Sequence, residues 1–293
     1  MKKIEACPIC ESKELNNFIS CVDFTKSKKT FTISSCVNCN FKFTNPRPNE
    51  DDLSEYYISD KYISHTNNKK GLFNKLYQIA RLYNINQKTK LIGNKKASLL
   101  EIGSGTGELL NAFKSMGWNT TGIEPSDIAR KNAFENHGLH LFPTIEETNV
   151  KEKSQHTIML WHVLEHIPQL NKSLKKYYNL MMDDGQLIIA VPNYKSPDAN
   201  LFKEFWAAYD TPRHLYHFDK KSMKNVLEKH GFKVVKIKPM WLDAIYVSIL
   251  SLKYKSNKSS FLKGFLIGVW SNIKAIMQNN EHSSLIYIAK KTK

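Results

Sequence analysis

The segment Ser98-Leu-Leu-Glu-Ile-Gly-Ser-Gly-Thr-Gly107 decides which fold this 293-residue chain is expected to adopt. Its first five residues have the apolar pattern of a buried strand, and the glycines lead into a helical pattern at 106–116. Glycines at a strand-to-helix turn let a ligand approach the backbone closely, and the helix N-terminus offers free N–H groups. Glu108 breaks the spacing of a dinucleotide fingerprint, and the Lys-Ser/Thr of a P-loop is missing. The turn therefore predicts a cofactor site that is neither a dinucleotide fingerprint nor a P-loop.

A second predicted strand, at 118–123, ends in Glu124. An acidic residue at this point can accept hydrogen bonds from both ribose hydroxyls of an adenosine. The alternative is a solvated loop carboxylate or a helix cap, because Pro125-Ser126-Asp127 opens the next helix. The sequence favours the ribose-binding interpretation.

Strand and helix patterns alternate from residue 98 onward. Strands are predicted at 98–102, 118–123, 139–142, 156–161, 186–192, 232–238 and 284–289, and helices at 106–116, 126–137, 171–182 and 219–230. This alternation predicts an α/β fold with a doubly wound, Rossmann-like sheet of seven strands. Binding sites in such sheets lie outside the carboxyl ends of the strands.

Four segments resemble, in order, the motifs of class I S-adenosylmethionine-dependent methyltransferases: Leu99-Leu-Glu-Ile-Gly-Ser-Gly-Thr-Gly107, Gly122-Ile-Glu-Pro125, Ile158-Met-Leu-Trp-His-Val-Leu-Glu-His-Ile-Pro168 and Asp184-Gly-Gln-Leu-Ile-Ile-Ala-Val-Pro-Asn193. The resemblance covers residues 70–293 and implies strand order 3-2-1-4-5-7-6 with an antiparallel last strand. It also implies S-adenosylmethionine as cofactor. We expect the cofactor to contact Glu101, Gly103, Ser104, Gly105, Gly107, Glu124, Pro125 and Trp161.

Two cysteine pairs, Cys7-Pro-Ile-Cys10 and Cys36-Val-Asn-Cys39, predict a structural Zn2+ site in a zinc ribbon. Four protein thiolates would fill a tetrahedral site and leave no position for substrate. A redox dithiol or unmetallated cysteines are the alternatives. Glu11 and Asn40 stand where zinc knuckles often have glycine, and Asn tolerates the left-handed backbone needed there. With these pairs, the chain is similar to bacterial methyltransferases that carry an N-terminal zinc-binding module, several of which act on sugars or secondary metabolites.

The domain organisation predicted from these patterns has three parts. Residues 1–48 form the zinc ribbon, and 49–97 form a linker with N-terminal helices, one of them at 72–85. Residues 98–293 form the methyltransferase domain, with a helical insertion at about 241–279.

Methyl transfer to a hydroxyl or an acidic carbon needs a group that removes a proton, and histidine suits this task near neutral pH. The candidates are His162 and His166, which follow strand four, and His214 and His217, which lie in the segment 210–218. His162 or His214 is the first choice as base, and a structural hydrogen bond is the alternative for each. In the related ubiquinone-type O-methyltransferases a Glu-x-x-Glu-His array holds a divalent ion. Here His162 replaces its first carboxylate.

Arg213 is a candidate ligand for an acceptor phosphate or carboxylate, because only four of the 43 basic residues are arginines. An ion pair with Asp210 or Asp219 is the alternative. The aromatic loop at 201–209 is expected to exclude water and to line an acceptor pocket.

The net charge of +16 suggests a polyanionic partner, but the scarcity of arginine makes nucleic acid a disfavoured one. Apolar residues from Phe261 to Met277 keep one helical face, with Lys263 and Lys274 off it, and Trp241–Leu252 is a second apolar stretch. Either these helices form a lid over the acceptor, or they lie in a membrane interface. Since no secretory signal or spanning segment is evident, we expect a cytoplasmic protein with peripheral membrane contact.

The predicted function is methylation of oxygen or carbon on a small-molecule acceptor, such as a sugar or a lipid-linked intermediate. One alternative is an RNA methyltransferase that holds RNA with the zinc ribbon and the basic flanks. Another is a non-catalytic protein that binds the cofactor as a scaffold.

Overall fold

The computed structural model describes residues 1–57, 85–92, 96–256 and 260–292, and residues 85–92 are helical. The strands are β1 (Leu15–Val22), β2 (Thr30–Cys36), β3 (Lys42–Thr44), β4 (Ser98–Ile102), β5 (Asn119–Ile123), β6 (Gln155–Trp161), β7 (Met181–Pro192), β8 (Tyr216–His217), β9 (Phe232–Pro239) and β10 (Ser284–Lys291). The longer helices are α1 (Glu108–Ser115), α2 (Asp127–His137), α3 (Leu170–Leu180), α4 (Pro197–Phe202), α5 (Lys220–Lys229), α6 (Asp243–Ser256) and α7 (Phe261–Met277). The helix predicted at 72–85 lies, except for Ile85, outside the described residues.

The central sheet has the order β5-β4-β6-β7-β10-β9. β4 pairs in parallel with β5 and β6, whereas β10 pairs antiparallel with β9. This mixed sheet confirms the predicted Rossmann-like class and the antiparallel final strand. All four predicted helices occur within two residues of their expected bounds, as α1, α2, α3 and α5.

The strand predicted at 139–142 is reduced to a single bridge between Ile123 and Phe142. The Phe142 N–H donates to the Gly122 carbonyl at 3.0 Å, and its carbonyl accepts from the Glu124 N–H at 2.8 Å. No other residue of 139–142 pairs with β5. The described part of the sheet therefore has six strands where the pattern predicted seven.

The chain divides into two compact units. The cofactor unit, as we call it, comprises the described residues of Asp60–Leu160 and Asn179–Leu187, and its core includes Leu99, Leu100 and Phe113. The composite unit comprises the described residues of Met1–Ser59, Trp161–Tyr178 and Ile188–Lys293. It is assembled from three separate parts of the chain.

The N-terminal strands form a four-stranded sheet within the composite unit, in the order β1-β2-β3-β8. Antiparallel pairing joins β1 to β2, β2 to β3 and β3 to β8. In the last pair Lys42 lies opposite His217 and Phe43 opposite Tyr216. The ribbon sheet therefore takes its fourth strand from the segment that carries the predicted catalytic residues.

The predicted helical insertion at 241–279 consists of α6 and α7, which pack closely together. A Cβ atom added to Gly268 would lie 2.4 Å from the Ile245 Cα, and one added to Gly264 would lie 2.6 Å from the Ile249 Cα. Larger residues at these two positions would push the helices apart. Among the described residues, no helix is both long enough and apolar enough to cross a membrane.

Candidate functional site

The glycine turn between β4 and α1 has the open backbone that its sequence predicts. Gly105 has φ of 54°, and a Cβ atom added there would meet nothing within 4 Å. Gly107 has φ of 81°, and a Cβ atom added there would lie 2.8 Å from the Leu139 side chain. The two glycines thus have different purposes, since Gly107 lets α1 pack while Gly105 leaves the tip of the turn accessible to a ligand.

Glu124 lies across the tip of this turn. One of its carboxylate oxygens accepts from the Gly105 N–H at 2.8 Å, and the other accepts from the Ser126 N–H at 2.9 Å. The cap of α2 is the Ser126 hydroxyl, which accepts from the Ala129 N–H at 3.3 Å. Each oxygen of Glu124 retains a lone pair that can accept from a ligand hydroxyl. The side chain is half-buried, and neighbouring Pro125 is exposed.

Glu101, at the end of β4, is a buried carboxyl group in the same unit. Its Oε2 atom has no hydrogen-bond partner among the described residues, and burial raises the pKa of Glu101 to about 8. A buried, unpartnered carboxyl group is suited to a cationic ligand. Together, Glu101, Gly105 and Glu124 could hold the ammonium group and the ribose of S-adenosylmethionine, so the residues present fit this cofactor.

Three further residues, Gly103, Ser104 and Trp161, are predicted to contact the cofactor. The N–H groups of Gly103 and Ser104 both donate to the Ile123 carbonyl, at 2.8 and 2.9 Å, which ties the turn to the end of β5. Trp161 is the last residue of β6 and belongs to the composite unit. Their contacts with a cofactor stay predictions.

His162 follows β6 directly and adopts φ of 55°. Its Nε2 atom lies 2.9 Å from the Asp243 carboxylate, and its Nδ1 atom lies 3.4 Å from the Glu165 carboxylate. Burial disfavours a charge on the imidazole, but the hydrogen bonds to Asp243 and Glu165 outweigh it and raise the pKa of His162 to about 10. A proton on both ring nitrogens at neutral pH favours an electrostatic role for His162 over that of base.

The pKa of His214 is shifted in the opposite direction to that of His162. Burial, followed by the nearby His166, lowers the pKa of His214 well below its usual value. Its Nδ1 atom lies 2.9 Å from the Ala208 carbonyl, which can only accept a hydrogen bond. Neutral His214 therefore carries its hydrogen on Nδ1 and its lone pair on Nε2. This protonation state is the one that a general base requires.

His166 and His214 are neighbours, with ring centroids 4.5 Å apart. The His166 Nδ1 atom lies 3.0 Å from the Tyr57 hydroxyl and 3.1 Å from the Arg213 carbonyl. We call His162, Glu165, His166 and His214, together with Asp243, the histidine cluster. All five belong to the composite unit.

Three members of the histidine cluster could hold a divalent cation. One ligand atom each from Glu165, His166 and His214 lie within 4.8 Å of one another. Both carboxylate oxygens of Glu165 are buried, and one of them forms the 3.4 Å ion pair with the His162 Nδ1 atom. Two imidazoles and one carboxylate are a common ligand set for first-row transition metals.

Arg213 contributes to the structure of the composite unit and does not point to an acceptor anion. Its Nε atom donates to Asp210 at 2.9 Å, and one terminal nitrogen donates to Asp23 at 3.0 Å. The other terminal nitrogen donates to the Tyr56 carbonyl at 3.2 Å. The ion-pair alternative therefore describes Arg213, because all three of its nitrogens have partners within the protein. Asp219 instead pairs with Lys195 at 2.9 Å.

A small pocket in the composite unit adjoins His214. It is lined by Pro192, Tyr194, Trp206, Ala208, His214, Tyr216, His217 and Phe218. Trp206 and Ala208 come from the aromatic loop, and the Trp206 indole N–H donates to Asp198 at 2.7 Å, which fixes its orientation. The pocket has aromatic walls and two imidazoles, since burial lowers the pKa of His217 to about 3 and that of His214 well below its usual value.

The four paired cysteines converge in the ribbon. Their sulfur atoms all lie within 4.8 Å of one another, with Cys7 3.5 Å from Cys39 and Cys10 3.4 Å from Cys36. Four thiolates around Zn2+ would be about 3.8 Å apart, given Zn–S bonds of about 2.3 Å. Glu11 and Asn40 both have positive φ, of 63° and 61°, as knuckle positions require. The geometry is compatible with a tetrahedral metal site.

The ribbon contacts the segment that carries His214. The Thr44 hydroxyl donates to the His214 carbonyl at 2.6 Å and lies 3.1 Å from the His217 Nε2 atom. Asp23, in the turn after β1, binds Arg213. The sequence gives no signal for Thr44, Asp23, Tyr57 or Asp243, because no local motif relates them to their partners. Thr44 and Tyr57 contact histidines, and Asp23 contacts Arg213, all more than a hundred residues away, and Asp243 contacts His162 about 80 residues away.

Comparison with known proteins gives three similarities. A ubiquinone biosynthesis O-methyltransferase of Actinobacillus pleuropneumoniae serotype 7 (strain AP76) is 34% identical over 125 residues, which are 39% of this chain and 52% of that protein, so the chain spans about half the length of this relative. Phosphoethanolamine N-methyltransferase 2 of Haemonchus contortus, solved with S-adenosyl-L-methionine, is 17% identical with a TM-score of 0.50, covering 86% of this chain and 62% of that one. A SAM-dependent methyltransferase from Archaeoglobus fulgidus is 22% identical with a TM-score of 0.48, and the match covers 72% of this chain and 92% of that one.

The likeness to the Haemonchus structure is evidence for the fold alone. Residues 76–237, more than half of the chain, match the family model described as "Methyltransferase domain". The matched range contains the glycine turn, Glu124 and the whole histidine cluster except Asp243. The chain therefore belongs to the methyltransferase domain family of S-adenosylmethionine-dependent enzymes.

Proposed function

We propose that the protein methylates an oxygen or an acidic carbon of a small-molecule acceptor, and that His214 takes up the proton the acceptor loses. The observation that carries this proposal is the state of His214, a neutral imidazole whose lone pair is on Nε2 and which is one of the residues that line an aromatic pocket. A sugar or a lipid-linked intermediate are the acceptor classes we expect.

When bound, S-adenosylmethionine supplies an electrophilic methyl carbon for an in-line displacement. The chain itself must orient the acceptor, exclude water and remove a proton. Aromatic walls, including Trp206, can pack against a flat acceptor and keep water out. His162, protonated between Asp243 and Glu165, offers positive charge to an acceptor that becomes anionic.

The low pKa of His214 narrows the acceptor class. A weak base removes a proton efficiently only from a group whose own pKa is not far above neutral. Phenols, enols and carbons between two carbonyl groups meet this condition better than an ordinary alcohol, so a sugar or lipid-linked acceptor would have to present such a group at the methylated atom. The name of the Actinobacillus relative specifies an O-methyltransferase, which supports oxygen as one target atom.

The test uses the full chain, methyl-labelled S-adenosylmethionine and a cell extract separated into RNA, lipid and small-molecule fractions. We expect label in the small-molecule or lipid fraction, lost with His214→Asn while calorimetric binding of the cofactor is retained. His230→Asn is the matched control, since His230 also has a lowered pKa and holds a backbone carbonyl at 2.8 Å, that of Val226, but does not line the pocket. Label only in RNA, or full transfer by His214→Asn, would overturn the proposal.

We also propose that Cys7, Cys10, Cys36 and Cys39 bind one structural Zn2+. Zinc thiolates require reduced cysteines, so a reducing compartment such as the cytosol is the expected location. Elemental analysis of the purified chain should give one zinc per protein, lost with Cys10→Ser. An intact chain with less than a tenth of an equivalent of zinc after growth in zinc-rich medium would contradict this assignment.

A further inference from the structure

Helix α7 presents its apolar side to solvent and its polar side to the protein. Eight of its large apolar side chains are exposed, and Leu262, Leu266, Ile273 and Met277 each have more than half of their surface accessible. The buried positions of the same helix are Gly264, Gly268, Ser271, Asn272 and Ala275. A surface helix of a water-soluble protein normally has the opposite arrangement.

The inward side of α7 is held by specific contacts, so the helix cannot turn to hide its apolar face. The Ser271 hydroxyl donates to buried Asp198 at 2.7 Å. The Asn272 side chain donates to the Trp241 carbonyl at 2.8 Å, and its oxygen lies 2.9 Å from a ring nitrogen of His282. Gly268 allows the close approach of α6. Rotation would break these buried polar contacts, which are costly to leave unmade.

The exposed face is bordered by positive charge. With about 100° between successive residues, the exposed apolar side chains cover about half of the circumference of α7, and Lys263 and Lys274 lie at one border. The Lys274 ammonium lies 4.9 Å from the centre of the Trp270 ring. From residue 244 to residue 280 the sequence contains five lysines and no acidic residue. Long lysine side chains beside an apolar surface can extend their ammonium groups to phosphates.

We propose that α7 lies in the headgroup region of a bilayer containing anionic phospholipids, with its apolar face in the acyl boundary. The combination of a wide apolar face, bordering lysines and exposed tryptophans is the pattern of an interfacial helix. Trp241, which is exposed beside Asn272, adds a second aromatic residue at the same place. The inference is independent of the acceptor proposed above.

A second copy of the chain suits this face less well than a membrane does. Symmetric pairing would bring the lysines of two copies around one interface, and residues 244–280 offer no carboxylate to neutralise them. Anionic lipid headgroups supply the missing negative charge.

The experiment measures co-sedimentation of the full chain with vesicles of phosphatidylcholine alone or with 30% phosphatidylglycerol. We expect binding to the anionic vesicles, weakened at least tenfold by Leu262→Asp combined with Leu266→Asp. Lys263→Glu combined with Lys274→Glu should weaken anionic binding by about fivefold per lysine. The matched controls are Val235→Asp, an equally exposed apolar position on β9, and Lys221→Glu combined with Lys224→Glu on α5, neither of which should change binding.

Circular dichroism and cofactor binding verify that each variant folds. Vesicle binding lost with the α7 variants and kept with the controls supports the proposal. No binding to either vesicle type, or equal binding to both, overturns it. A dimer in sedimentation velocity that the Leu262→Asp and Leu266→Asp pair dissociates, without vesicle binding, would overturn it in favour of a second copy.

Discussion

The glycine turn and the histidine cluster are built in opposite ways. The turn and Glu124 lie within 22 residues of one another in one unit, and the hydrogen bond from Gly105 to Glu124 completes the arrangement. The histidine cluster instead joins residues 162–166, His214 and Asp243, and it contacts Tyr57 and the ribbon residue Thr44. One site is local in sequence, and the other depends on contacts between distant segments.

A substitution at one site should therefore affect different parts of the molecule from a substitution at the other. A substitution at the glycine turn should weaken cofactor binding and leave the composite unit intact. A substitution in the ribbon should disturb the His214 segment, although the ribbon is far from it in sequence, because β3 pairs with β8 and Thr44 binds the His214 carbonyl. Five predictions test this contrast.

Loss of the proposed zinc should have the largest effect. Cys36→Ser should unfold or loosen the ribbon, lower the melting temperature by about 10 °C or more, and reduce methyl transfer at least about a hundredfold. Cofactor affinity, measured by calorimetry, should change less than about threefold, because the cofactor unit has its own core. Cys21→Ala, a buried cysteine outside the pairs, is the control and should keep its zinc. A parallel loss of cofactor binding would break the contrast between the two sites.

Arg213→Ala should have the next largest effect. The substitution leaves Asp23, whose carboxylate is buried, without its cation, and such losses destabilise proteins by about 3 kcal/mol or more. Denaturant unfolding measures the change. Arg213→Lys should recover part of the stability, since it restores the charge but not the forked geometry. Wild-type stability in the Ala variant would show that the contacts of Arg213 with Asp23 and Asp210 do not stabilise the fold.

The glycine turn could be predicted from the sequence more fully than the histidine cluster could. The glycine turn, Glu124 and the alternation of strands with helices were predictable because periodicity and short motifs encode them locally, whereas the strand order was implied by the resemblance to class I methyltransferases. The strand predicted at 139–142 occurs only as a single bridge at Phe142. For Arg213 the sequence left both an acceptor anion and an ion pair open, and the structure shows the pair with Asp210. Asp243 and Thr44 were missed, because their roles depend on partners that only the folded chain brings near.

The same limit applies to the histidines. The sequence offered His162 and His214 as equivalent bases, but the pKa values are shifted in opposite directions. Two carboxylates raise the pKa of His162 against the effect of burial, whereas burial and a neighbouring imidazole lower that of His214. No spacing in the sequence reveals which histidine has carboxylate neighbours.

Glu124→Ala should weaken cofactor binding about a hundredfold, or about 2.7 kcal/mol, because two hydrogen bonds to a charged group are lost. Calorimetry gives the affinity. The ribbon should be unaffected, so zinc content and the near-ultraviolet circular dichroism of the composite unit should match those of the wild type. Glu124→Gln, which keeps one acceptor oxygen, should bind with intermediate affinity. A change of less than threefold would leave Glu124 with only its structural bonds to Gly105 and Ser126.

Cofactor affinity should also depend on pH through Glu101. With a pKa of about 8, this carboxyl group is mostly protonated at pH 6 and 7, and it must ionise to pair with an ammonium group. Affinity should therefore rise about tenfold, or about 1.4 kcal/mol, between pH 6 and pH 7. Glu101→Gln should bind more weakly at pH 7 and should lose this pH dependence. A flat wild-type profile would mean that Glu101 does not contact the cationic end of the cofactor.

Thr44→Val should have the smallest effect and is the most direct test of contact between the ribbon and His214. The substitution keeps the shape of a fully buried side chain but removes the hydroxyl that donates to the His214 carbonyl, so we expect a loss of about 1 kcal/mol in stability. The rate of methyl transfer should fall severalfold at unchanged cofactor affinity, because His214 loses a group that fixes its backbone. Thr32→Val is the matched control, since it removes an exposed hydrogen bond to Ser20 in the same sheet. If both variants reduce transfer equally, the effect comes from the sheet in general. If only Thr44→Val does so, this hydrogen bond is one way in which the ribbon positions His214, the proposed base.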